Sequence, residues 1–332
     1  MRKKLKVISK AWARALLAGA WMLAAGTVAA QQLNYPARPI RFIVSYPPGG
    51  STDPMARLVA NKLTERWPHT VVVDNRPGGN TIIGTELVAK APPDGHTILL
   101  ASSAFLSTPS LFPKLPYNTL RDFTGVATIA TSRFVLVVTP AMPVNNLQDF
   151  IAYAKSRPGQ LSFASSGIGA NTHLSAEQFN LMVGTKMNHI PYKGSGVLVT
   201  DLISGRVDLS FQVPITVISY ITSGRMKPLA ISGNGRAPAL RDIPTFTEAG
   251  LPNFRADGWF GIVAPSGTPR FAIEKLSKEV AAILQLPESR DYLIKQASEP
   301  LVSTPEQVNA LIREDIARYA QIIKAANVRA EQ

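Results

Sequence analysis

The chain has 332 residues, 35 of them Lys or Arg and 22 Asp or Glu, for a formal net charge of +13. It has no cysteine, which excludes disulfides, thiol catalysis, cysteine-bound zinc and a lipidated N-terminal cysteine. Beyond residue 30 the basic residues form no clustered run that would mark a nucleic-acid face. After residue 30 no apolar run reaches the roughly 18 to 20 residues that a spanning helix needs.

The chain opens with Arg2, Lys3, Lys4, Lys6, Lys10 and Arg14, followed by an uncharged Ala/Leu-rich stretch from Ala15 to Ala30. A basic start, an apolar stretch and small residues at Val28 and Ala30 read as a secretory signal peptide over residues 1–30, cut before Gln31. An uncleaved anchor is the alternative, and the stretch is short for it. Without the leader the chain keeps 29 basic and 22 acidic residues, a net charge of +7 that mildly favours anionic ligands. A secreted chain of this size with 45% apolar residues can bury two ordinary cores. It is expected to be a soluble protein outside the inner membrane.

In chain order, "PIRFIVSY" (Pro39 to Tyr46) predicts a strand. A helix follows whose apolar positions Met55, Leu58, Val59, Leu63 and Trp67 recur at three- and four-residue steps. "TVVVDN", "TIIGTELVAK" and "HTILLAS" continue as strand, helix and strand, the rhythm of a parallel sheet with crossover helices. The rhythm resumes with strand "FVLVVTP", a helix near Leu147 to Ser156, strand "QLSFAS" and a helix from Asn171 to Val183. Strand "KMNHIPY", a helix from Val197 to Ile203, and strands "VDLSFQV" and "MKPLAIS" complete a second sheet. The Gly- and Pro-rich segment from Ser232 to Phe254 breaks the alternation, as a connection between domains would. Strand "DGWFGIVAP" and two long amphipathic helices, each introduced by Thr-Pro (Thr268 and Thr304), close the chain.

Enzyme motifs are missing. "FASSGIGANTHL" offers Ser165, Ser166 and His173 as a catalytic set of hydrolase type, but G-x-S-x-G is absent. There is no H-E-x-x-H, and His69, His96 and His189 are scattered singly, so no metal and no cofactor is expected. "PPGGSTD" lacks the Gly-Lys-Ser/Thr of a phosphate-binding loop, and "GIGANT" has Thr172 in place of the third glycine of a dinucleotide fingerprint.

Three Gly-rich turns remain, Pro48 to Asp53, Pro77 to Gly84 and Ser165 to Thr172, each following a strand and opening a helix. Asp53-Pro54 can be explained by helix capping alone, with Asp53 as the cap. Gly49 and Gly50 need more: a sharply turned backbone that presents its N–H groups to a ligand. Helix N-termini suit a carboxylate, and in open α/β sheets ligands collect at the carboxyl ends of strands. The three turns of two facing domains are expected to converge on one cleft.

These stretches resemble the tripartite tricarboxylate transporter receptor (Bug) family of periplasmic solute receptors. The similarity is carried by "YPARPIRFIVSYPPGGSTDPMARLVANKL", "VVVDNRPGGNTIIGTELVAKAPPDGHTILLAS", "PSLFPKLPYNTLRDFTGVATIA", "LSFASSGIGANTHLSAEQF", "HIPYKGSGVLVTDLISGRVDLSFQ" and "GWFGIVAPSGTP", in family order across essentially the whole mature chain. The resemblance implies an α/β, two-domain periplasmic-binding-protein fold of type II-like plan. Two Rossmann-like domains would hold a ligand cleft and a hinge between them, with residues 31–132 plus 255–332 forming one domain and 133–254 the other. It implies a monomer in the periplasm that binds a small organic carboxylate, either a di- or tricarboxylate, an acidic amino acid or an aromatic acid. The receptor would deliver its ligand to an integral-membrane permease, or report it to a sensor kinase, without catalysis, metal or nucleic acid.

Carried over residue by residue, the first turn contributes Tyr46, Pro48, Gly50, Ser51 and Asp53, and the second Gly79, Asn80 and Thr81. Ser102 and Ser103 follow the third strand. Ser165, Ser166, Gly169, Asn171, Thr172 and His173 face them from the third turn, with Tyr192 after the next strand. Tyr192 and His173 could equally serve as packing residues, since each joins an apolar body to a polar tip. Two departures stand out. Gln212-Val213 replaces an expected acidic or Asn-type pair, which weakens the case for a ligand with an ammonium group. Phe105 occupies a position where the family often has a polar residue, tilting the pocket toward an apolar or aromatic acid.

Overall fold

A computed structural model describes residues 35–330; the leader read over residues 1–30 lies outside them. The β-branched runs assemble into two five-stranded mixed sheets. The first comprises β1 (Ile40–Val44), β2 (Val71–Asn75), β3 (Thr97–Ala101), β4 (Phe123–Ser132) and β10 (Gly258–Pro265), in the order β2-β1-β3-β10-β4. The second comprises β5 (Val135–Val138), β6 (Ser162–Ser165), β7 (Asn188–Pro191), β8 (Leu209–Gln212) and β9 (Lys227–Ile231), in the order β7-β6-β8-β5-β9. Both sheets share one plan: three parallel strands, then one strand antiparallel to both its neighbours. That antiparallel strand, β10 or β5, is the one entering from the other sheet.

Helices α1 (Thr52–Arg66), α2 (Ile82–Ala89) and α3 (Ser103–Leu111) follow the first three strands. In the second sheet α4 (Leu147–Lys155) precedes β6, and α5 (Asn171–Val183), α6 (Ser195–Ile203) and α7 (Pro214–Thr222) follow β6, β7 and β8. The C-terminal helices α8 (Arg270–Gln285), α9 (Pro287–Lys295) and α10 (Pro305–Ala325) return to the first sheet, α10 packing on α3 and β4. Helices on both faces bury the strands from both sides, which is why Ile40, Phe42, Ile43 and Val44 are consecutive apolar residues with a single polar interruption and no alternation.

Sequence periodicity misses α3, β4, α7 and α9. Helix α3 is buried on almost every side and carries Pro109, so it shows no amphipathic stripe; α7, "PITVISYIT", is rich in β-branched residues that favour strands. Of the three helix starts read as caps, only Thr304 is one, in a full capping box with Gln307. Helix α1 begins two residues earlier, with Ser51 as the cap and Asp53 inside the first turn, where its charge favours the helix dipole. Thr268 donates its hydroxyl to the Pro265 carbonyl at 2.7 Å, leaving Pro269 as the residue before α8.

The chain crosses between sheets twice. The first crossing is Arg133 and Phe134. The second runs from Ser232 to Asp257 and packs Phe246 and Phe254 against Phe211 and Phe179 of the second sheet's core. The crossings are stitched together: the Phe134 N–H donates to Ser232 Oγ (2.8 Å), the Ser232 N–H to the Phe134 carbonyl (2.8 Å) and the Ser232 hydroxyl to Asp257 (2.6 Å). Arg133 donates to the Gly235 carbonyl at 2.6 Å and pairs with Glu299. Truncating Phe211 to alanine empties the centre of that aromatic cluster. It is expected to cost ~3–5 kcal/mol of unfolding free energy, read as a lower urea midpoint.

Candidate functional site

Between the sheets lies a cavity of about 200 Å³. It is lined by segments that leave the ends of β1 (Tyr46 to Thr52), β3 (Ser102, Ser103), β6 (Ser166, Asn171, Thr172), β7 (Lys193 to Val197) and β8 (Val213). Ser132 at the end of β4, the crossing residue Phe134 and the start of β10 (Gly258, Trp259, Phe260) complete it.

Four helices begin at its wall: α1, α3, α5 and α6. The residues before them, Ser51, Ser102, Ala170 and Gly194, place no side-chain hydrogen bond on the helix start. Side-chain caps are found on α4 and α10, from Asn146 and Thr304, whereas α2, α8 and α9, away from this cavity, also begin without one; what marks the four is that their starts meet at one space. The first N–H groups of a helix need a partner and carry partial positive charge, so these starts are suited to an anion. Hydroxyls of Ser51, Ser102, Ser103, Ser166 and Thr172 add donors. No Asp or Glu lines the cavity, and Lys193 is its one formally charged residue. Burial pushes the Tyr46 phenol up to about 12, with a hydrogen bond to Ser102 pulling the other way, so the ring presents a protonated donor at neutral pH.

Nine of the sequence-derived residues line this space: Tyr46, Pro48, Gly50, Ser51, Ser102, Ser103, Ser166, Asn171 and Thr172. The backbone N–H of Ser166 donates to Thr172 Oγ1 at 2.9 Å, and that of Asn171 to Ser103 Oγ across the cleft at 3.1 Å. Asn171 also donates its side-chain amide to the Ala256 carbonyl at 2.9 Å.

The other assigned residues do different work. Asp53 turns away from the cavity, gripping Arg57 (2.9 and 3.1 Å) and Asn75 (3.0 Å). Burial raises its carboxyl, but these hydrogen bonds outweigh that and hold it below the ordinary carboxylate range. Gly79, Asn80 and Thr81 line an adjoining outer space, and Asn80 donates to the Ile168 carbonyl of the opposite domain at 2.8 Å. Gly169 has φ +74°, and a Cβ there would collide with Leu111; its carbonyl accepts from Ser107 at 2.7 Å. The second and third turns thus meet, but as a contact between domains. Tyr192 lines the outer space and donates to Asp201 at 2.8 Å. Phe105 is buried edge-to-face on Phe123 and has no part in the lining, so the apolar wall comes instead from Phe134, Val213, Trp259 and Phe260. Gln212 is fully buried against Ser210 and Thr216.

Ser165 and His173 sit behind the third turn. His173 accepts the Gly169 N–H on Nδ1 (3.0 Å) and stacks on His189 with ring centres 3.7 Å apart, while Phe163 stacks beyond them. Ser165 Oγ lies 2.6 Å from His189 Nε2, the nearest approach to a nucleophile and base. Ser165 is fully buried, so no substrate reaches that oxygen. Among the described residues no group of His, Asp and Glu is placed to hold a metal.

Sequence reading missed Ser132, Phe134, Lys193 to Val197, Val213 and Gly258 to Phe260. "YKGSG" carries the signature of the other turns, a strand followed by glycines and a helix start, and could have been found. The crossing residues could not, because their place depends on how the two sheets face each other.

Two mixed sheets of this order, joined by two crossings and enclosing a cleft between them, define the two-domain fold of periplasmic solute-binding proteins. The chain belongs to the tripartite tricarboxylate transporter family of receptors, whose family model matches residues 55–328. It is 39% identical over 296 residues to protein BugT of Bordetella pertussis, covering 88% of this chain and 90% of that one. Among solved structures, an R. palustris protein with adipate is 34% identical, with a TM-score of 0.85 and 89% and 99% of the two chains covered. MatC from Rhodopseudomonas palustris with bound malate is 29% identical, with a TM-score of 0.80 and coverage of 87% and 100%.

The stacked histidines generate a pH dependence. Burial first, and the His173 ring second, push the His189 imidazole down from 6.5 to about 3. The unfolded chain binds this proton near pH 6.5 and the folded one only near 3. The contribution to stability is therefore full above 6.5 and lost as pH falls from 6.5 toward 3. Replacing His189 with Gln, which keeps an acceptor for Ser165, is expected to flatten stability between pH 6.5 and 5, measured by urea unfolding at each pH.

Proposed function

We propose that the protein is a periplasmic receptor that captures a small organic carboxylate and presents it to the permease of a tripartite tricarboxylate-type transporter. The observation that carries this reading is the meeting of four helix starts without side-chain caps at one cavity that has no acidic side chain. Relatives solved with adipate and with malate support the ligand class. The reading assigns residues 31–132 with 255–332 to one rigid unit and 133–254 to the other, turning about the two crossings. Ligand favours the closed arrangement by the contacts it makes to both units at once, and the permease reads that closure. The site does no chemistry on its ligand: its hydroxyls bond one another and the backbone, and no base stands beside an accessible nucleophile.

A thermal-shift screen of organic acids on residues 31–332 tests this directly. An acid present at a hundred times its Kd is expected to raise stability by about 2.7 kcal/mol, and a screen in which no acid moves the melting curve overturns the reading. For an acid that binds, Ser166→Ala is expected to cost ~1.5–3 kcal/mol of affinity, roughly ten- to a hundredfold in Kd by calorimetry, as a hydrogen bond to a charged group is lost. Thr304→Ala, which removes a cap far from the cleft, is expected to cost ~1 kcal/mol of fold stability with affinity unchanged.

A further inference from the structure

The inner cavity is not the whole cleft. An outer space of about 620 Å³ adjoins it, and Tyr46, Pro47, Ser166 and Lys193 line both. The outer walls are largely apolar, with Pro77, Ile82, Phe112 and Ile168 among them, and no acidic residue lines them either. At the junction Pro47 approaches Gly194 across the cleft, 3.8 Å from where a Cβ would stand; Gly194 has φ +113°. The backbone can therefore pass close to Pro47, with Lys193 the preceding residue in the chain and a lining residue of both spaces.

Lys193 has no ion pair among the described residues. The nearby acid in sequence, Asp201, is already held by Arg206 (2.9 Å) and by the Tyr192 hydroxyl (2.8 Å). Helix starts supply the inner cavity with enough donors for one carboxylate, and those donors are dipoles fixed in the backbone. Lys193 is exposed at the junction and lines both spaces, so it adds a full positive charge, separate from the helix starts, where the cleft opens to solvent. A cavity of this kind asks for a ligand with an anion at each end and an apolar middle.

We propose that the receptor's ligand is an elongated dicarboxylate whose first carboxylate sits at the helix starts of the inner cavity and whose second meets Lys193 where the cleft opens into the outer space. This deepens the carboxylate reading and rests on it. Lys193 is then the residue that distinguishes dianions from monoanions, and the outer space is what tolerates added methylene groups. Compact tricarboxylates, which concentrate their charge, fit this layout poorly.

Calorimetry with glutarate, adipate, pimelate and suberate, set against hexanoate, heptanoate and citrate, tests the assignment. The wild-type chain is expected to bind at least one of the four dicarboxylates about tenfold or more tightly than the monocarboxylate of similar length, and more tightly than citrate. Lys193→Met is expected to abolish that preference, lowering dicarboxylate affinity about tenfold more than monocarboxylate affinity, and Lys193→Arg to restore most of it. Melting curves establish that both variants fold. Equal losses for mono- and dicarboxylates in Lys193→Met, or tightest binding of citrate, overturn the role of Lys193 and leave the carboxylate reading standing. Failure of every acid to bind the wild-type chain overturns the carboxylate reading itself.

Discussion

A helix start leaves N–H groups that must find a partner, and around this cleft the residues just before the helices supply none from their side chains; the Asn171 N–H alone is met from across the cleft, by Ser103 Oγ. Ser51 adopts helical backbone angles, Ala170 and Gly194 have no side-chain oxygen to offer, and Ser102 keeps its hydroxyl off its own helix. The rest of the architecture serves this arrangement. The parallel strands place the starts of α1 and α3 on one side and of α5 and α6 on the other, and the absence of a lining carboxylate keeps the potential there favourable to an anion.

The two sides touch through few and specific contacts. Asn80 reaches the Ile168 carbonyl, Ser107 the Gly169 carbonyl, and the Asn171 N–H the Ser103 hydroxyl. Each neutral bond of this sort is worth only about 0.5–1.5 kcal/mol net, which is small enough for the proposed ligand, by touching both sides, to shift the balance between open and closed arrangements. The crossings confine that motion. Arg133, Ser232 and Asp257 hold the two passing segments together, the narrow seam about which the proposed closure would turn.

Behind the third turn, the stack of Phe163, His189 and His173 gives the wall its firmness. His173 fixes the Gly169 N–H and His189 fixes Ser165, which leaves Ser166 and Thr172 to face the cavity from a backed loop. On the opposite side Trp259 is held by its indole N–H to Asp315 at 2.8 Å, so an apolar wall of the cavity is set by the C-terminal helix. Shape in the cleft thus comes from residues distant in the chain from those that supply its donors.

Most of the alternation of strands and helices was legible in the sequence because it depends on local periodicity and turn chemistry, as in Met55, Leu58, Val59 and Leu63 or the glycines of the three turns. Elements whose surroundings are uniform or whose residues favour another state, α3 and α7, were not. Within the site, the hydroxyls beside helix starts, Ser51, Ser102, Ser103, Ser166 and Thr172, could be named from order along the chain, since a strand followed by a helix puts its connecting residues at the sheet's edge. The division of labour among neighbours could not. Whether Asn80 faces the inner cavity or the opposite domain, whether Ser165 or Ser166 looks inward, and whether Phe105 or Phe134 forms the apolar wall depends on how two sheets pack across a seam. No local pattern encodes that, because each choice is made by a partner in another element, such as Ile168 for Asn80, His189 for Ser165 and Phe123 for Phe105.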